Sequence, residues 1–151
     1  MLKTNRRYQN LYFSLSQLFI FAVFVSNLIA ALSFIISPHA YSSGFDLSGE
    51  PGRVAVVGTG ILFLMWQVPY VIALLNPLKY YISLWEATIM QAIGLGAETI
   101  LLSTIKPGHT TIEASIRRFI WFDLAGLVLL IIALGLIAKL RKGNADNGES
   151  F

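Results

Sequence analysis

Residues 8–38 read YQNLYFSLSQLFIFAVFVSNLIAALSFIISP, Tyr8 to Pro38, and contain no Lys, Arg, Asp or Glu. A hydrocarbon core of about 30 Å needs roughly 20 apolar helical residues to cross it, and this stretch exceeds that length. A second uncharged stretch runs from Val54 to Leu78. A water-soluble fold has no reason to keep two such stretches free of charge. The whole composition agrees: of 151 residues, 56% are apolar and 13% charged, against about 25% charged in a typical soluble domain. The fold expected is all-α, an integral membrane four-helix transmembrane bundle in one domain over residues 1–140.

Working outward from the first stretch, helix 1 is expected over 8–36, because Pro38 disfavours helix in the residue before it. Its basic start (Lys3, Arg6, Arg7) fits a signal peptide, but the apolar run from Leu11 to Ile36 is longer than the 7–15 residues of a signal h-region. Retention as a transmembrane helix is the expectation. A polar, glycine-rich loop from Ser37 to Arg53 follows and forms an outer cap. Helix 2 is expected over 54–75, with Pro69 inside it and Asn76-Pro77 turning the chain, since Pro77 cannot continue the helical ladder. Helix 3 is expected over 78–105, stopped by Lys106-Pro107-Gly108. Helix 4 is expected over 111–140, with Thr110 and Glu113 at capping-box spacing. Residues 141–151 read as a disordered tail.

The basic residues set the direction. The side with both termini and the Asn76–Lys79 turn holds Lys3, Arg6, Arg7, Lys79, Lys139, Arg141 and Lys142, seven of the 11 Lys and Arg; the other side holds Arg53, Lys106, Arg117 and Arg118. Positive charge favours the cytoplasmic side, so an N-in/C-in topology in the plasma (inner) membrane is expected. The net charge of +3 and pI near 9.3 are thereby assigned to membrane anchoring rather than to nucleic acid, which is not an expected partner. Short connections make helices 2, 3 and 4 antiparallel neighbours.

Cysteine is absent, which removes disulfides, thiolate metal sites, iron–sulfur clusters and Cys nucleophiles. His39 and His109 fall in outer loops without metal-ligand spacing. Ser42, His39 and Asp46 compose a hydrolase triad only on paper, as any serine-rich loop would. No cofactor and no metal is expected.

Function has to live in the polar residues inside the spans: Gln67 on helix 2, Gln91 and Glu98 on helix 3, and Arg117, Arg118 and Asp123 on helix 4. An ionisable residue at a span centre costs about 2.5–3.5 kcal/mol on insertion scales, so it faces protein or water. At 100° per residue, Ala87, Gln91, Gly94 and Glu98 share one face of helix 3, while Glu86 points away toward the inner interface. Gly94, Gly96 and Ala97 let a neighbouring helix approach. Glu98 lies eight residues before Lys106 and Arg118 seven after Thr111, which puts both at ~10–12 Å depth on antiparallel helices and suggests an ion pair of Glu98 with Arg118 or Arg117, with Asp123 one turn deeper. The leading functional expectation is a non-enzymatic binding or accessory membrane protein that associates with itself or with a larger membrane complex. The alternative is a small membrane enzyme or carrier for a lipophilic molecule, with Glu98 and Asp123 as its acids. Partners on these readings are the lipid bilayer, further copies or a larger complex, and a small lipophilic ligand.

Overall fold

The computed structural model describes residues 2–146, with side chains over 7–144, and among these residues there is no strand. In chain order the helices are α1 (Leu2–Ile36), α2 (His39–Ser42), a 3-10 turn (Ser43–Phe45), α3 (Gly49–Met65), α4 (Gln67–Leu75), α5 (Tyr81–Thr104) and α6 (Thr110–Asp146). Three stretches are long and apolar enough to cross a membrane: Arg7–Ile36, Gly49–Leu75 and Thr110–Asn144. The fourth expected span, α5, carries Glu86, Gln91 and Glu98 within 24 residues and is not among these three.

Local chemistry accounts for the boundaries. After the last bond of α1, from Ser37 N to Ser33 O at 2.9 Å, Pro38 cannot extend the ladder. The Ser37–Arg53 segment is not the irregular loop its composition suggests. Pro38 instead opens α2, Asp46 closes the 3-10 turn in the left-handed conformation (φ 54°), and α3 begins at Gly49, ahead of the expected Val54. Proline is tolerated in a helical first turn, where its missing N–H has no partner to lose, so Pro51 does not stop α3. Glu50 accepts from Arg53 one turn on, which holds that first turn.

Between α3 and α4 the helix breaks at Trp66. Pro69 removes the donor that Met65 O would receive, and the Gln67 side chain caps the disturbed turn by donating Nε2 to Phe63 O at 2.8 Å. Asn76 is extended (φ −162°, ψ 97°), as the residue before a proline prefers. Its Oδ1 accepts from Leu78 N and Lys79 N and so organises the turn into α5. The capping box does not form: α6 starts at Thr110, which places Thr110 inside the helix, and Glu113 N bonds His109 O instead. At the other end α6 continues beyond Leu140 to Asp146. Arg141 explains this extension, stacking 4.6 Å from the Tyr81 ring and donating to Leu78 O. Residues 147–151 of the expected disordered tail lie outside the described residues.

The long helices pack in cyclic order. The first helix α1 contacts α3 and α4, α4 contacts α5, α5 contacts α6, and α6 returns to α1. Toward the end that holds the termini the centre is apolar, built on Ile20, Ala73, Leu84, Leu130 and Ile137. Polar side chains close that region across helices: the buried Ser16 donates Oγ to Ala133 O, and the half-buried Gln17 donates Nε2 to Leu74 O. Gly60 sets the closest approach of α1 and α3, because a Cβ there would meet Ala31 O at 2.8 Å. Of the two glycines expected to admit a neighbouring helix on α5, Gly94 faces one, while Gly96, like Gly58 on α3, meets nothing within 4 Å.

Candidate functional site

Above the apolar centre, three helices share a polar cluster. Gln91 of α5 is 5% exposed and uses both ends of its amide. Its Oε1 accepts from Tyr70 Oη of α4 at 2.6 Å, and its Nε2 donates to Asp123 Oδ1 of α6 at 2.8 Å. The helices can close on these side chains because each opposing position is glycine. A Cβ on Gly126 would lie 2.9 Å from Gln91 Nε2, and one on Gly94 would collide with Asp123 Oδ2. The helix-3 stripe read from the sequence therefore faces inward. Ala87 and Gln91 are buried, and Gly94 and Glu98 are half-buried.

Gln67 is also 5% exposed. With its Nε2 spent on Phe63 O, its buried Oε1 has no hydrogen-bond partner. It borders a cavity of about 20 Å³ together with Asn27, Tyr70, Gln91 and Asp123, which is roughly the room one water molecule needs. Glu98 Oε2 is the other buried side-chain oxygen without a partner among the described residues.

The expected Glu98–arginine ion pair is not made. Arg53 pairs with Glu50, and His109 Nδ1 lies 3.7 Å from Asp46 Oδ2, but neither Arg117 nor Arg118 comes within ion-pair distance of Glu98. Arg118 turns to the opposite side of α6, where its Nη2 donates to Ser115 Oγ at 3.0 Å. Counting residues estimates the level along a helix but not the rotation about it: Asp123 packs against Gln91 and Gly94 of α5, while Arg118 lines the groove shared with α1 and the cap. Of the six sequence candidates, Gln67, Gln91 and Asp123 border one small cavity, Glu98 lies two turns further along the same face of α5, Arg118 lines a separate site, and Arg117 and Arg118 are both exposed.

That separate site is a groove of about 650 Å³ between α1, the α2 and 3-10 cap, and α6. Its apolar wall carries Ile29, Phe34, Tyr41, Phe45, Phe119 and Phe122, and hydroxyls of Ser26, Ser33, Ser43, Thr111 and Ser115 are spaced around it. Phe34 contacts Tyr41 edge-on at 4.8 Å and Phe119 at 5.9 Å, while Phe45 stacks on Phe119 at 6.1 Å. Phe63 touches both Phe34 and Phe119 and also borders the small polar cavity, so these rings separate the two sites. The cap is fixed to α6 by Ser115 Oγ donating to Gly44 O at 2.6 Å, and a side chain on Gly44 would clash with that hydroxyl.

The sequence reading missed Tyr70 and the groove. Tyr70 follows Gln67 by three residues and so shares its face. The groove has a readable signal too. Ser26, Ile29, Ala30 and Ser33 on α1, and Ser115, Arg118, Phe119 and Phe122 on α6, each follow i, i+3, i+4, i+7 spacing. What that spacing cannot reveal is that the two faces meet. The hydrolase constellation does not assemble: Ser42 Oγ donates to the backbone oxygen of His39, and Asp46 faces His109 at 3.7 Å. No group of three or more His, Asp and Glu close enough to hold a metal occurs among the described residues. No known protein family, curated protein or solved structure matches this chain.

Proposed function

We propose that the chain is a four-helix transmembrane bundle with both termini in the cytoplasm, set in the plasma (inner) membrane. On this reading it is a non-enzymatic binding protein that holds a small lipophilic molecule in the groove between α1, the cap and α6. The single observation that carries the binding role is that groove: about 650 Å³, within the range of small-molecule sites, walled by aromatic rings and bordered by a few polar groups. The topology rests on the three long apolar stretches, on α5 as the fourth member of the cyclic packing, and on the seven-to-four division of basic residues.

Two experiments test it. The chain has no cysteine, so single cysteines report sidedness directly. With an impermeant maleimide on intact cells, Ser43→Cys should label and Lys142→Cys should not; the reverse pattern refutes the topology. Native mass spectrometry of the protein extracted in its own lipids should show one retained small lipophile, lost when Ala30→Phe fills the groove. A mass corresponding only to added protein chains would instead support the accessory role in a larger complex. A carrier reading is favoured by a different observation, the unpartnered Gln67 Oε1 and Glu98 Oε2 beside Asp123. It requires that ligand retention depend on pH and that Glu98→Gln remove the dependence.

A further inference from the structure

We infer that the groove is built for an acidic membrane phospholipid, its phosphate against the Arg118 guanidinium and its acyl chain along the aromatic wall. The inference rests on the binding reading above and specifies its ligand class. Among the described residues Arg118 is the charged residue lining the groove, and no acidic side chain lines it. The nearby cap acid, Asp46, faces His109, and Glu50 pairs with Arg53. Within the described residues Arg118 makes one side-chain hydrogen bond, to Ser115 Oγ. A guanidinium has five donors in a planar fork, so most of that fork stays available.

The arginine is also held in position. Ser115 Oγ, which receives it, is itself tied to Gly44 O at 2.6 Å, so one nitrogen of the exposed guanidinium is tethered at the groove wall where α6 meets the cap. A planar fork suits two phosphate oxygens at once. Ser33, Ser43 and Thr111 line the same groove, and their hydroxyls make no hydrogen bond among the described residues, which leaves them for the glycerol and ester oxygens of a headgroup. A neutral lipophile over Arg118 would cover a charge without pairing it, which is costly. A bare phosphate would satisfy Arg118 but leave most of about 650 Å³ and its aromatic wall unfilled. An acidic phospholipid meets both halves of the groove.

The test measures retention of phosphatidylglycerol and of phosphatidylcholine by the full-length protein in mild detergent, by native mass spectrometry. Wild type should favour phosphatidylglycerol by about tenfold or more, the scale of one charge-assisted hydrogen bond. Arg118→Gln should lose that preference while keeping its helical content. Arg118→Lys should keep part of it, and it reports on charge even where Arg118→Gln folds poorly. Lys142→Gln, which removes an equal charge at the far end of α6, should leave the preference intact. Equal retention of both lipids by wild type, with both lost in Ala30→Phe, overturns the acidic-lipid assignment and leaves the binding reading standing. Retention unaffected by Ala30→Phe overturns both. Displacement of phosphatidylglycerol by inorganic phosphate alone, at concentrations near those of the lipid, identifies a phosphate site and overturns the lipid assignment.

Discussion

Replacing Gln91 with leucine tests whether one amide holds three helices together. The substitution keeps roughly the volume but deletes the acceptor for Tyr70 Oη at 2.6 Å and the donor to Asp123 Oδ1 at 2.8 Å. The two losses are unequal. Tyr70 Oη also lies 3.2 Å from Ala87 O and can direct its O–H wholly to that acceptor, so that loss stays below the ~0.6 kcal/mol average for interhelical hydrogen bonds in membranes. Asp123 has no such substitute. Removing the donor to a carboxylate at a half-buried site costs about 1.5 kcal/mol or more. The sum is a destabilisation of about 2 kcal/mol, with Tyr70→Phe on its own near ~0.5 kcal/mol. The measurement is reversible unfolding in mixed micelles titrated with sodium dodecyl sulfate, followed by tryptophan fluorescence. Because removing both partners spares each the penalty of being left unpaired, Gln91→Leu and Asp123→Leu should couple by at least about 1 kcal/mol in a double-mutant cycle. A coupling of zero within error, or a Gln91→Leu protein as stable as wild type, would refute the account of the cluster.

Further expectations concern packing and the chain end. Gly60→Ala forces a methyl group against Ala31 O and Phe34 Cβ and should destabilise by about 1–3 kcal/mol, whereas Gly58→Ala, with nothing within 4 Å, should be neutral or slightly stabilising in the same unfolding assay. Gly94→Ala should displace Asp123 from Gln91 and lower stability by a similar ~1–3 kcal/mol; combined with Asp123→Ala the effect should shrink, and full additivity would exclude the contact. Leu130→Ala, at a fully buried position, should cost about 2–5 kcal/mol, read as a lower denaturant midpoint with unchanged slope. Arg141→Ala removes the stack on Tyr81 and the bond to Leu78 O; hydrogen exchange of the last turns of α6 should rise while exchange near Leu130 stays unchanged.

The sequence by itself determined the helical fold class, the apolar stretches and the chain reversals at Pro38, Asn76-Pro77 and Lys106-Pro107, because these follow from local hydropathy and from proline chemistry that no neighbour can alter. It also determined that Ala87, Gln91, Gly94 and Glu98 share a face, since helical periodicity is a property of one helix. It left open which faces meet. A count of residues put Glu98 and Arg118 at one depth, but whether they touch depends on the rotation of α5 against α6. That rotation is set by glycines: Gly94 and Gly126 admit Asp123 and Gln91, so Asp123 takes the inward place against Gln91 and Arg118 faces the cap. The cap shows the same division. Composition read Ser37–Arg53 as a loop, and only contact with α6, through Gly44 and Ser115, decides that it folds over α1 and encloses a groove. A groove is made by surfaces far apart in sequence, from Ser26 to Phe122, and no single stretch of chain contains the information that they come together.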